Sequence, residues 1–461
     1  ERGGRGTMQA QNVEKWKPAW DAAGIAHNAG TRDWVLRGVI LLGLGYLVYI
    51  NVSYDSFHPL IRLMEKHGWS RALGRPSMLW ALMGTLMLGF RTMLWFWYRP
   101  HNPATIEDAP PLTVIIPAYN EGAMVAKSIE SVVAARYPRE RLEILVVDDG
   151  STDDTWTHID RVAGLYPGIV TKIRFGENRG KRAALAEGIR RGKGEIVVTI
   201  DSDSVIGEET LLSIVGPFRN PGVGAVAGKV LVYNRHEGLI PKMLHVRFVL
   251  SFDFLRSVQS TYGTVYCCPG ALSAYRISVL RAVLPEWEAQ KFLGVRCTYG
   301  EDRALTNYIL NQGCDSVYQS NAVVHTVVPA NYTKLCKMFL RWDRSYIREE
   351  IRFAGGIVWK RPPIARLIAV LDSLITNLRY PIGLAALPLL FMFSIENPMA
   401  VLRLMAVIGA MAGLNMLYYL RSELSWDFLF GIFYAYFSFF TLFWVFPYAA
   451  ATLRARSWLT R

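Results

Sequence analysis

Apolar residues gather toward the two ends of the chain, while the middle alternates between short apolar runs and polar stretches. Residues 34–51 (WVLRGVILLGLGYLVYIN) and 78–98 are apolar runs long enough, with slight tilt, to cross a bilayer as helices. The second ends in Trp95-Phe96-Trp97-Tyr98, an aromatic group suited to a membrane interface. Arg37 can reach water along its stem, whereas Arg91 inside the second run requires a protein or water partner. After the middle, residues 380–395, 399–420 and 428–451 predict further spans. Residues 364–378 carry Arg366 and Asp372 and predict an interfacial segment.

Between these regions, residues 112–116, 143–147 and 196–200 read as buried strands, and 225–232 adds another. Helical stretches at 124–135 and 182–191 separate them, which implies a mostly parallel sheet. Residues 332–353 place Leu335, Phe339, Trp342, Tyr346 and Ile347 near helical spacing with many Arg and Lys between. That pattern predicts an amphipathic helix lying on the membrane surface. The expected divisions are 1–33, a polar leader; 34–98, two spans; 99–331, an α/β domain; 332–378, interfacial helices; 379–453, a second membrane region; and 454–461, a polar tail. Within the first division, the seven residues ahead of Met8 read as added sequence and the rest as a cytosolic segment.

Composition supports a membrane protein with a polar insert: 51% of the 461 residues are hydrophobic and 14 are Trp. The net charge of +13 would suit nucleic acid, anionic lipid or an acidic ligand. No nucleic-acid motif is present, and Lys and Arg beside the spans explain much of the excess, so the expected partner is the bilayer. None of the five cysteines (267, 268, 297, 314, 336) forms a CxxC pair, which reads as reduced cytosolic thiols.

Candidate chemistry sits where the strands end. Asp201 and Asp203 follow the 196–200 strand. On an extended backbone they face one side, making a hard-oxygen site for Mg²⁺ or Mn²⁺ at the sheet edge where α/β folds bind ligands. A solvated acidic turn is the plain alternative. Tyr119 and Glu121 end the first strand and Asp149 the second; Tyr119 could stack on a base and Asp149 accept from a ring N–H, although turn chemistry also explains them. Lys181 opens a helix and could meet a diphosphate there, unless it is a solvated basic turn. Asp302 in Gly300-Glu301-Asp302-Arg303 precedes a helix at 304–310, as a general base aimed at an acceptor hydroxyl or as a helix cap. Arg341-Trp342 offers a cation for a leaving diphosphate and a flat ring for a sugar, or an interfacial pair.

The ordered series IIPAYNE, VDDGSTDDT, NRGKR, TIDSDS, GEDR and LRW resembles the family 2 glycosyltransferases across residues 113–349. With Asn234-Arg235, Tyr266-Cys267-Cys268-Pro269-Gly270, Leu305-Thr306-Asn307-Tyr308, Arg341-Trp342-Asp343-Arg344-Ser345 and Ser457-Trp458-Leu459-Thr460-Arg461, the chain looks like the membrane-embedded hyaluronan synthases and the rhizobial chitooligosaccharide synthases. That resemblance implies a GT-A (Rossmann-like) α/β catalytic domain on the cytosolic side of the cell membrane, inserted between N- and C-terminal transmembrane helices, with amphipathic interface helices.

It implies that Tyr119, Glu121 and Asp149 hold uridine, that Lys181 and Asp201 contact the nucleotide-sugar, and that Asp203 binds Mg²⁺ or Mn²⁺ on the diphosphate. Asp302 becomes the base. Arg341 and Trp342 stabilise the leaving diphosphate and seat the acceptor. Cys268, Gly270 and Arg303 line the substrate site, and Trp458 and Arg461 close over UDP. His325 falls near the metal in such folds, with a structural role the stronger reading.

The implied activity is processive, inverting β-transfer from UDP-GlcNAc, with UDP-GlcA if the product is hyaluronan, onto a growing polysaccharide that is extruded across the membrane. A chitooligosaccharide synthase using UDP-GlcNAc alone, and a single transfer to a lipid carrier, are the alternatives. A catalytically silent binding or channel subunit would not need Asp201, Asp203 and Asp302 together. Two features depart from expectation. Met338 stands where the family has Gln, which bears on processivity. Three full crossings after the catalytic domain would also put the basic tail (Arg454, Arg456, Arg461) outside, so a fold-back near Phe446-Pro447, or one span fewer, is expected.

Overall fold

The computed structural model describes residues 30–52, 61–62, 64–68, 71–396 and 399–455. Helices α1 (Thr31–Val52) and α2 (Arg71–Trp97) come first. A regular βα series follows: β1 (Leu112–Ala118), α3 (Met124–Ala134), β2 (Leu142–Asp148), α4 (Thr155–Leu165), β3 (Val170–Arg174), α5 (Lys181–Arg191) and β4 (Ile196–Ile200). The second part is less regular: β5 (Ser204–Ile206), α6 (Thr210–Val215), β6 (Val223–Val232), α7 (Leu239–Val249), α8 (Leu255–Ser260), β7 (Leu272–Arg276), α9 (Ile277–Glu288), β8 (Lys291–Phe292), β9 (Val295–Arg296), α10 (Glu301–Asn311) and β10 (Asp315–Thr326). Helices α11 (Tyr332–Gly355), α12 (Pro363–Glu396), α13 (Met399–Ser422), α14 (Phe428–Thr441) and α15 (Val445–Ala451) complete the described chain.

Eight strands form one sheet in the order β3-β2-β1-β4-β7-β6-β10-β5. The first four are parallel and β6 and β10 run the same way, while β7 runs antiparallel to both β4 and β6, and β5 antiparallel to β10, so the mostly parallel sheet carries two reversed strands. All seven residues of β1 are buried, as expected of a strand covered on both faces. Val114, Ile116, Ile144, Val146 and Ile200 pack on one face against Ile129 and Val132 of α3 and Ile159 of α4. Ile115 and Val197 pack on the other against Leu185 and Ile189 of α5 and Trp287 of α9. Each such side chain contributes about 1.5–3 kcal/mol of burial, which fixes the strand register and with it the sheet edge.

By length and composition, four described helices could cross a membrane: Thr31–Val52, Gly74–Trp97, Pro363–Glu396 and Leu404–Ser422. The stretch predicted as an interfacial segment plus a span is one 34-residue helix, α12. At 1.5 Å per residue it is roughly 50 Å long, more than a hydrocarbon core requires. Asp372, which suggested an interface, is instead paired with Arg91 of α2 at 2.6 Å, so each charge answers the other. The 428–451 stretch breaks between α14 and α15 with a bend of 48°. The break precedes the expected Phe446-Pro447, and Pro447 lies in the first turn of α15, where its missing N–H costs no helix bond.

Helix α11 is also not a free surface helix. Arg344, Arg348, Glu349 and Glu350 on it are buried, and Glu350 accepts hydrogen bonds from Ser373 (3.0 Å) and Asn377 (3.2 Å) of α12. It is a strut between the sheet domain and the apolar helices.

Candidate active site

Because β1, β2 and β4 run parallel, their C-terminal ends share one edge of the sheet. Because β7 is antiparallel to β4, with Leu272 opposite Ile200, the loop entering β7 returns to that same edge. Gly270, just before β7, therefore lies against Asp201, just after β4.

The loops after β1 and β2 are tied together. The Glu121 and Gly122 amides both donate to the Thr155 hydroxyl at 2.8 Å. The Thr152 amide donates to Asn120 Oδ1 at 2.9 Å, with Asn120 held at φ 52°. Tyr119 is half-buried at the end of β1, and Glu121 Oε1 accepts from Ser202 at 3.0 Å. Asp149 accepts the amides of Arg179 (2.7 Å) and Gly180 (2.9 Å) on its two oxygens. Burial pushes its carboxyl above the ordinary value, and these amides pull the other way. Its evident job is to fix the turn that presents Lys181, a role that pattern reading did not give it.

Lys181 pairs with Asp201 and lies 3.5 Å from Glu301 Oε1. Burial alone would lower its pKa, but Asp201 and Glu301 outweigh that and hold it above its usual value. A Cβ on Gly270 would sit 3.0 Å from the Lys181 ammonium nitrogen and 3.4 Å from the Asp201 carboxylate oxygens, so any side chain there presses on that pair. Asp302 Oδ2 accepts the Gly270 amide at 3.3 Å and lies 3.7 Å from Cys267 Sγ, while Oδ1 accepts the Arg303 amide at 2.8 Å. The positive end of α10 favours that carboxylate. Gly300 holds φ 71°, and a Cβ there would come within 1.9 Å of Ser345 Oγ, so α11 presses directly on the turn that carries Asp302.

Lys181, Asp201, Gly270 and Asp302 thus come together at this edge. Several other candidates do not join them. Asp201 and Asp203 follow β4 in a turn, not on the extended backbone expected, and Asp203 Oδ1 accepts from Ser204 and Thr326 hydroxyls at 3.2 Å each. Cys268 is sealed in the core, where burial pushes its thiol up to about 12; Cys267 is the cysteine beside Asp302. Arg303 turns away to Glu350 (2.7 Å) and the Tyr346 ring. Trp342 packs on Phe248 and Phe339, with centroids 5.9 and 5.8 Å away, and neighbouring Arg341 is half-buried. Met338 is a core residue, so a thioether is the fitting side chain there. His325 is buried, which drives its imidazole down to about 3 and favours the structural reading. Trp458 and Arg461 lie outside the described residues. Glu301, to which sequence pattern gives no role, is buried beside Lys181.

Residues 113–284 match Glycosyl transferase family 2. The chain carries a family 2 glycosyltransferase domain. The chain is 36% identical over 248 residues to an N-acetylglucosaminyltransferase of Azorhizobium caulinodans, covering 52% of this chain and 62% of that one. It is 33% identical over 264 residues to a hyaluronan synthase of Streptococcus pyogenes, covering 56% and 61%. The chain thus spans about three fifths of the length of these curated relatives. A mannosyltransferase from Pyrobaculum calidifontis, solved with GDP-Man and Mn²⁺, shares the fold at a TM-score of 0.59 and 21% identity, over 82% of this chain and 98% of that chain.

Proposed function

We propose that this is a membrane-embedded, inverting β-glycosyltransferase that extends a saccharide from UDP-GlcNAc, with its catalytic domain in the cytosol of a cell-membrane protein. The observation that carries it is the junction of β4 and β7, where Lys181, Asp201, Gly270 and Asp302 converge. Tyr119, Glu121 and Asp149, with the turn Asp149 holds, would seat the uridine. Lys181 and Arg341 would take up charge developing on the departing UDP. Asp302 accepts the acceptor hydroxyl proton as that oxygen bonds to the anomeric carbon and the bond to UDP breaks on the opposite face. The leaving group needs no acid. Trp342 would stack the acceptor sugar.

A divalent cation fits this residue set. No cluster of three or more His, Cys, Asp or Glu capable of holding a metal occurs among the described residues. Asp203, half-exposed at the sheet edge, can supply one carboxylate while a diphosphate supplies the rest, the usual way Mg²⁺ and Mn²⁺ are held. Such an ion would neutralise diphosphate charge. Packing accounts for Met338, so that position favours neither chain growth nor single transfer.

The two similar relatives support two products, a polymer of alternating sugars and a GlcNAc oligomer. Purified protein given labelled UDP-GlcNAc with and without UDP-GlcA separates them. Elongation with UDP-GlcNAc alone assigns a chitin-type product, elongation only with both assigns a hyaluronan-type product, and a single product band assigns one transfer. No UDP release with either donor in the presence of Mn²⁺ contradicts the proposal.

A further inference from the structure

We propose that Glu301 is a positioning residue whose carboxylate holds the Lys181 ammonium between the donor loop and the helix that carries Asp302. This rests on the glycosyltransferase reading, which gives Lys181 its task. An acid at the first position of a helix is ordinarily solvated, yet Glu301 is only 5% exposed. Its Oε1 lies 3.5 Å from Lys181 Nζ, and Lys181 is bound on its other side by Asp201.

The next residue, Arg182, completes the arrangement. Its guanidinium lies 4.7 Å over the Trp287 ring and donates to Gln290 Oε1 at 3.0 Å. The Trp287 indole N–H donates to the Glu301 carbonyl at 3.2 Å. Glu301 is therefore fixed through its backbone, with two consecutive cations nearby. Arg182 is 6% exposed, and its Nε and Nη2, like Glu301 Oε2, have no hydrogen-bond partner among the described residues. A carboxylate this dry persists only beside cations.

One ammonium held by two acids has a consequence. Asp201 sits on the loop assigned to the donor, and when it turns toward a ligand Lys181 would otherwise lose its nearest counter-charge. Glu301 retains it. Lys181 then links the end of β4 to the start of α10, one residue from Asp302, so donor occupancy and base position share a tether.

The test uses the full chain in detergent with Glu301→Gln and Glu301→Asp, read two ways. One is turnover of UDP-GlcNAc. The other is acylation of Lys181 by an amine-reactive ester, followed by peptide mass spectrometry with exposed Lys172 and Lys193 as references. For Glu301→Gln we expect donor KM to rise, kcat/KM to fall and Lys181 acylation to quicken, each by about tenfold, with the reference lysines unchanged. Glu301→Asp should recover most of the loss. Unchanged Lys181 acylation in Glu301→Gln overturns the proposal, as does a uniform rise at all three lysines with a lower Tm. If the wild type turns over no UDP-sugar, the functional reading fails and the acylation contrast alone decides the tether.

Discussion

In the β3-β2-β1-β4 half of the sheet, every strand runs the same way and each candidate residue follows its strand: Tyr119 and Glu121 after β1, Asp149 after β2, Asp201 after β4. In the β7-β6-β10-β5 half the rule inverts. Gly270 precedes β7, and Asp302 stands at the start of α10, held by a helix strut instead of a strand end. The first half is positioned by its own sheet core; the second borrows its position from α11, through Gly300 against Ser345 and a buried polar network around Glu349. The reversed strand β7 lets both halves meet at one edge. The parallel half is therefore expected to govern donor binding and the other half turnover.

Substitutions break or sharpen this division. Lys181→Met, at the meeting point, should lower kcat/KM by roughly 10²–10³, read by UDP release. Glu349→Leu removes a fully buried acid that accepts from Gln290 (2.7 Å), Asn307 (3.1 Å), Arg348 (2.9 Å) and Arg352 (3.0 Å). Stranding those groups should cost about 3–5 kcal/mol, seen as a lower Tm, with the remaining folded protein losing turnover before UDP affinity. Gly270→Ala pushes on both Lys181 and Asp201, so kcat and KM should both worsen, by roughly tenfold overall. Asp149→Ala should raise donor KM by up to about tenfold with kcat nearly kept, since the uridine seat and the Lys181 turn loosen while Asp302 keeps its contacts.

The smallest expected effect is in pH dependence and belongs to the second half alone. His245 on α7 is 2% exposed, and burial, opposed by Glu423, pushes its imidazole down from 6.5 to about 4. Its neutral form contributes full stability above pH 6.5, and that contribution is lost as pH falls toward 4. At pH 5 the loss is about 2 kcal/mol. His245→Leu should therefore flatten the fall in Tm between pH 7 and pH 5.

The same division explains what the sequence revealed. Strands β1, β2 and β4 are continuous buried apolar runs followed at once by turn residues, and their periodicity names them. Strand β7 is a short Leu-Ser-Ala-Tyr-Arg, and β10 carries Ser316 and Gln319 inside the sheet, satisfied by Val265 and His101. Their burial depends on partners distant in sequence, so local pattern does not disclose them, and the antiparallel crossing stayed hidden. Motif and chemistry single out Lys181 and Asp302, whereas Cys267 and Glu301 stand out only from the reversed strand and buried neighbours around them. Charge misled the reading of α12, because Asp372 looked interfacial until Arg91 was placed beside it.

If transfer depends on Asp302 at the β4–β7 junction while donor binding belongs to the parallel half, the two functions separate in one variant. That separation is tested most directly by measuring UDP release from UDP-GlcNAc and UDP binding on the same preparations of wild type and Asp302→Asn. The account predicts that the substitution lowers turnover by about 10²–10⁴ and leaves UDP affinity within about twofold of wild type. Retained turnover in Asp302→Asn, or loss of UDP binding in a folded variant, would contradict it.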